Sequence, residues 1–457
     1  MSATQEIAAS LPRLLSTHAE AAPDRIAYVG PSVAGASYLS YAAMARAVRA
    51  LAGRLGALDL PPGSHIAVQL PNVAEAIVSQ LAIIAAGHVC APLPLLWRHG
   101  DAAQALRQIE ARALIAWCGT AAAAEASLET ALHSPSVRFV AGFGAAVPDG
   151  VVDLGDIFGA EANDDALAEA DPHAAVFVTF ESEADGIAAA AHTQTELLAA
   201  ALDILEATHL PPAATIHATM MLSSFATIAA TLTPWLVCGG SLHLSDPAEA
   251  WQSGHAEVTD LAIVPAALLD EPPLAKTHLA IWRAPERHAT SVPHPHRTTI
   301  DLLSFGEHGF AVLPRLAEGW PAPLRIGTLG SVHLSRNTRG TLLLGGAMVP
   351  HADIFGELLG AADTNIPCEL EAATGRLSLS GAPIGVITVG GYRFPAAALH
   401  DVAGNLEPGS TLAALPDLIA GERLAGVAAN VEELREALRK AGINPLVGQA
   451  FRERNQA

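Results

Sequence analysis

The sequence predicts an α/β protein: helix-covered parallel sheets, then a β-rich stretch, then a small αβ segment of its own. Three observations predict this. Short apolar runs alternate with segments of helical period through the first half, the pattern of parallel strands covered on both faces. From Arg325 to Leu344 the period shortens to glycine-punctuated, β-like runs. From Gly385 to Ala457 strand and helix signals return in a compact block, and a chain of 457 residues is long enough for two or three domains.

Taken in order, Ser40 stands as the cap of a helix whose apolar positions Met44, Val48, Leu51, Leu55 and Leu58 fall at helical spacing. Pro61-Pro62-Gly63 stops it, and a strand follows over His65–Leu70. Pro71-Asn72 opens a helix over Ala74–Ala86, closed by Gly87 as a C-terminal cap. Strands are predicted over Val89–Leu93 and Ala113–Trp117, with a helix over Asp101–Glu110 between them. The acidic stretch Asp149–Asp171 has weak periodicity and reads as a surface connection. Further helices are predicted over Thr195–Ala207 and Ala226–Val237, and strands over Ser241–Leu244 and Leu261–Val264. Pro285–Pro295 reads as a loop, and Val431–Ala441 as an amphipathic helix that puts Lys440 on its solvated face. There is no tandem repeat and no coiled coil.

Composition narrows the function classes. The net charge of −21 opposes binding to nucleic acid or to an anionic membrane. Lys276 and Lys440 are the only lysines, so any lysine chemistry has two candidates. Cys90, Cys118, Cys238 and Cys368 show no CxxC spacing, and three of them lie in apolar runs, which suits a reducing cytoplasm. The apolar region Ile77–Trp97 is interrupted by Gln80, Gly87, His88 and prolines, so it predicts helix, turn and strand rather than a membrane span. The N-terminus has neither the basic nor the apolar segment of a secretion signal. His288, His294, His296 and His308 lack HExxH or cysteine-supported spacing, so no metal site is expected. Neither a Gly-x-Ser-x-Gly elbow nor a strand-borne G-x-G-x-x-G occurs.

The most informative stretch is Val176–Thr193, read as strand, loop and helix start. A nucleotide-binding enzyme places a glycine-rich, lysine-bearing loop there. This chain has Glu181, Glu183 and Asp185, a single glycine (Gly186) and no lysine. Bare N–H groups and positive charge hold phosphate, and carboxylates oppose it. The loop is therefore expected to be a solvated acidic turn.

The order of segments resembles the acyl-adenylate-forming ligases, the superfamily that includes acyl-CoA synthetases and peptide-synthetase adenylation domains. The likeness runs from about Leu11 to near the end of the chain. It is carried by Ser40-Tyr41, Pro62-Gly63-Ser-His-Ile-Ala-Val68, Leu70-Pro-Asn72, Ala85-Ala-Gly-His-Val-Cys-Ala-Pro92, Val258-Thr-Asp-Leu-Ala-Ile-Val-Pro265 and Val389-Gly-Gly-Tyr-Arg393. The resemblance implies an acyl-CoA synthetase-like fold: αβ-layered subdomains and a β-barrel-like part over residues 1–380, then a short α/β C-terminal lobe over 385–457. It also implies Mg-ATP and CoA as cofactors. Its partners would be a small acyl or carboxylate compound, or a carrier protein.

Against that pattern the motifs depart. The phosphate loop falls on Phe180–Ala189, including Ser182 and Gly186, with Thr179 just before it. Trp282-Arg283-Ala284-Pro285 replaces the family's Gly-Gly-Ala-Pro turn; Trp282 either fills space or enters the purine slot, and Arg283 would serve as an anion clamp. Phe305-Gly306-Glu307-His308-Gly309 resembles the metal-glutamate segment, so Glu307 is either a magnesium ligand or a loop carboxylate. Thr364-Asn365-Ile366 is the nearest match to the ribose-aspartate motif and ends on isoleucine. Gly381-Ala382 and Thr388 stand where the hinge and its lysine are expected, and Gly390, Gly391, Tyr392 and Arg393 open the C-terminal lobe. That lobe is about 70 residues, shorter than the family's, and its ending does not resemble the family's terminal lysine motif. The expectation is a ligase scaffold with ATP-dependent adenylation impaired or lost. The alternative is an active acyl- or aryl-CoA ligase that uses substitute residues.

Overall fold

The computed structural model describes residues 10–35, 37–161, 171–246, 258–270, 272–290, 298–417 and 421–453. Two large sheets form the body. In the first, the strands run in the order Val152–Asp153, Phe139–Phe143, Ala113–Trp117, His65–Gln69, Val89–Pro92, Ala175–Glu183 and Gly186–Thr193. All neighbours are parallel except the last pair. The second sheet has eight strands, with Thr215–Ala218, Thr259–Pro265 and Ala275–Trp282 near its parallel centre and antiparallel strands at both edges.

Helices fill the space between the sheets, and their composition reflects it. Ala74–Ala85 is buried at every position, as expected of a helix that is apolar all round. Its polar residues therefore need partners. Glu75 accepts from the Ser32 hydroxyl and the Val33 N–H, both at 2.8 Å, and Gln80 donates to the Leu222 carbonyl at 2.8 Å. Phe225–Cys238 is buried over nearly its whole length. On the outer side, Tyr41–Gly56 starts where Ser40 accepts the Ala43 N–H, and Leu58 lies beyond its end. The predicted strand Ala113–Trp117 and helices Gln194–Thr208 and Val431–Lys440 lie within a residue or so of their expected ends. The helix Ala121–Leu132, which the sequence reading passed over, is half exposed and alanine-rich, so it carries little apolar periodicity.

An antiparallel sheet of five strands, Gly327–Leu329 to Arg376–Leu379, makes the half-barrel part. The small C-terminal lobe has its own sheet, its helices Ala396–Leu406, Val431–Lys440 and Pro445–Gln449, and a separate core around Leu424, Leu434 and Phe451. Among the described residues no helix is long and apolar enough to cross a membrane.

Candidate functional site

A cavity of about 460 Å³ opens where the carboxyl ends of parallel strands from both large sheets face the small lobe. Ligand sites of open α/β sheets lie at such ends, because the chain leaves each strand there as a loop free to carry polar groups. Trp97, Phe180, Met220 and Met221 give it an apolar wall, while Glu181 and Arg283 supply charge. The turn at Gly390-Gly391 and the side chains of Tyr392 and Arg393 close it from the small lobe.

Two carboxylates and two guanidinium groups meet at its floor. Glu181 Oε2 lies 3.1 Å from Arg393 Nη1, and Glu181 Oε1 lies 3.5 Å from Arg283 Nη2. Arg283 Nη2 is also 3.6 Å from Glu307 Oε1. Glu307 is buried, and its other oxygen accepts the Phe225 N–H at 2.6 Å, at the first turn of the helix Phe225–Cys238. A carboxylate there meets both an unpaired amide and the positive end of the helix dipole. Even so, burial, and after it the charge of Glu181, pushes the Glu307 carboxyl up to about 7, against the pull of Arg283. For Arg283, burial works against the charge, but Glu181 and then Glu307 outweigh it and raise its pKa.

Behind Glu307 lies a buried polar pair. Thr179 stands beside Glu307 and helps to lower its pKa, and its hydroxyl is 2.8 Å from His192 Nε2. The His192 ring stacks on Phe225 at 4.3 Å, and burial drives its pKa down to about 3, so it stays neutral.

The stretch Val176–Thr193 differs from its sequence reading. It is a hairpin: Ala175–Glu183 pairs antiparallel with Gly186–Thr193, and only Ala184 and Asp185 form the turn. The solvated acidic turn is therefore corrected. Asp185 is exposed there, but Glu181 sits three pairs back in the ladder and is buried among arginines. Glu183 is half-buried. Burial raises its pKa; Arg393 lowers it, and Glu181 and Asp185 add to the rise.

The other sequence-predicted residues divide between the cavity and its surroundings. Ser182 and Arg283 line the cavity with Gly390, Gly391, Tyr392 and Arg393. Gly186 faces Gln104 instead. Trp282 turns away and donates to Asp301 at 2.9 Å, with His288 edge-on to its ring at 5.5 Å. Phe305 is buried. Gly306 has φ +71, and a Cβ there would stand 3.1 Å from both Arg393 Nη1 and Glu181 Oε2, so this glycine makes room for the ion pair. Ile366 is a core residue. Its neighbour Asp363 is engaged with Asn337, Thr341 and Arg339. Lys440 and Lys276 are exposed and paired with Glu436 and Asp260. His294 and His296 lie outside the described residues; His288 is 3.8 Å from Asp301. Sequence reasoning missed His192 and the convergence of Glu181 on Arg393, which pairs residues more than two hundred positions apart.

The model of the AMP-binding enzyme family matches residues 15–354. Naringenin synthase of Pestalotiopsis fici (strain W106-1 / CGMCC3.15140) is 33% identical over 106 residues, 23% of this chain; the match spans 4% of that protein's length. The amide bond synthetase McbA from Marinactinospora thermotolerans superposes with a TM-score of 0.76 at 17% identity, covering 97% of this chain and 95% of McbA. A malonyl-CoA ligase, in a ternary product complex with methylmalonyl-CoA and AMP, superposes at 0.66 and 17% identity, over 94% of this chain and 96% of the ligase. These distant likenesses speak for the acyl-CoA synthetase-like fold alone. The family match covers most of the chain, and on that ground the chain belongs to the AMP-binding enzyme family.

Proposed function

We propose that this chain keeps the ligase scaffold as a binding site for a small acyl or carboxylate compound, free or on a carrier protein, with ATP-dependent adenylation impaired or lost. One observation carries this reading: the hairpin turn of Ala184 and Asp185. A phosphate cradle needs a run of backbone N–H groups turned toward the anion. Here those on either side of the turn belong to strands paired in a ladder, Ser182 with Ile187 and Glu183 with Gly186. The residues present do not fit a triphosphate. The buried Glu181 lines the cavity and adds negative charge beside any phosphate that enters, and such a contact opposes binding by about 1–4 kcal/mol at 4 Å. Both arginines are engaged with Glu181, and Arg283 also with Glu307, rather than turned to a nucleotide.

The rest of the cavity suits an organic ligand. Its volume of about 460 Å³ and its aromatic and methionine wall fit a small apolar body, with Ser182, Ser223 and Thr227 lining a polar side. We divide the chain at residues 380–385 into the ligase-like region and the C-terminal lobe, and place the protein in the cytoplasm, where its free cysteines would stay reduced. The test is ATP–pyrophosphate exchange across a panel of aliphatic and aromatic acids. The reading predicts no exchange above background. Acid-dependent exchange would favour the active ligase, with Glu307 as its metal ligand.

A further inference from the structure

We propose that Glu181 is an internal anion that latches the small lobe onto the large one, its carboxylate filling a cradle formed by Arg283 and Arg393. Arg283 follows a strand of the large eight-stranded sheet, and Arg393 lies on the small-lobe strand Tyr392–Pro395. They approach different oxygens of one carboxylate, at 3.5 Å and 3.1 Å. Arginines converging on one carboxylate are how proteins recognise fixed anions. The Glu181–Arg393 pair is buried, with side-chain exposures of 7% and 6%, so separating the lobes would strand both charges. Gly306 leaves the space, since any larger residue would crowd both partners.

The contacts around the latch are neutral acceptors or backbone groups and match its position. Arg287 Nη1 donates to the Gly421 carbonyl at 2.8 Å, and the Gly100 N–H donates to the Gly442 carbonyl at 3.0 Å. Both lie at the lobe boundary, and Glu181 is the only one of these links that joins two buried charges. The inference rests on the proposed function in one respect: Glu181 occupies the arginines that an entering anion would use.

The experiment uses the full chain without nucleotide, comparing wild type with Glu181→Gln and Arg393→Gln. Two readouts are taken: the rate of limited proteolysis at the exposed Ile384 between the lobes, and calorimetric binding of inorganic pyrophosphate. Wild type is expected to be protected and to bind no pyrophosphate. Both variants should be cleaved at least about tenfold faster, because each removes one member of the buried pair that joins the lobes. Only Glu181→Gln should gain pyrophosphate binding, since it alone releases Arg393 while leaving Arg283 held by Glu307 only. The double variant should be cleaved no faster than the quicker single one. Should Glu181→Gln fail to fold, Arg393→Gln carries the proteolysis arm. An unchanged cleavage rate in a folded variant overturns the latch, as does wild type binding pyrophosphate as tightly as Glu181→Gln. Because no nucleotide is present, Mg-ATP binding by wild type would count against the proposed function and leave the proteolysis result standing.

Discussion

Replacing Glu307 with glutamine should remove part of the protein's pH dependence of stability. Glu307 is 3% exposed, and its carboxyl is raised from an ordinary 4.5 to about 7, first by burial and then by Glu181. An acid with a higher pKa in the folded state holds its proton there while the unfolded chain has already lost it. Stability therefore falls as pH rises from the unfolded value toward the folded one. Across that window the wild type should lose about 3 kcal/mol on account of this one group. Glutamine keeps the shape and can still accept the Phe225 N–H, but it has no proton to lose. Weakened contact with Arg283 adds an offset to the variant, and the change with pH is the signal. Urea unfolding of the large lobe, which carries all six tryptophans, followed by their fluorescence, gives the midpoints at pH 5 and pH 8. The variant should gain on wild type by about 2–3 kcal/mol between the two, with other titrating groups cancelling in the difference. A difference that is flat with pH, or that moves toward wild type, would refute this account of the Glu307 environment.

Two further outcomes follow from the same geometry. Gly306→Ala puts a Cβ at φ +71 and 3.1 Å from Arg393 and Glu181, so it should cost about 1–3 kcal/mol in thermal or urea unfolding; an unchanged midpoint would show that the pair needs no such room. Asp203 ties the helix Gln194–Thr208 to the half-barrel sheet by accepting the Ser331 N–H at 2.8 Å and its hydroxyl at 2.7 Å. Asp203→Ala should cost about 1–3 kcal/mol and loosen hydrogen-exchange protection near Ser331, and full retained protection would contradict that role.

Much of the frame is legible in single residues. Ser40 caps a helix, Gly87 with φ +78 ends one, and the apolar run of Ala74–Ala85 marks a buried helix between sheets. Local backbone chemistry decides these, and it is written in neighbouring positions. The hairpin after Glu183 is harder to see because Ile187–Ala191 is almost entirely alanine, a residue that favours helices and gives no alternation. There the sheet edge, not propensity, sets the structure. The family-like segments locate Arg283, Glu307 and Arg393, but their partners come from remote strands. Glu181 reads as a solvated charge in sequence because nothing near it announces two arginines more than a hundred and two hundred positions away. Trp282 likewise stands at the cavity edge in sequence, while Asp301, buried in the next strand, draws its indole N–H away.

The central claim is that this cavity no longer holds adenosine triphosphate. Calorimetric titration of the full chain with Mg-ATP tests it most directly. No heat of binding is predicted up to millimolar nucleotide, with Glu181→Gln as the comparison. Saturable one-to-one binding of Mg-ATP to the wild-type protein at micromolar concentration would contradict it.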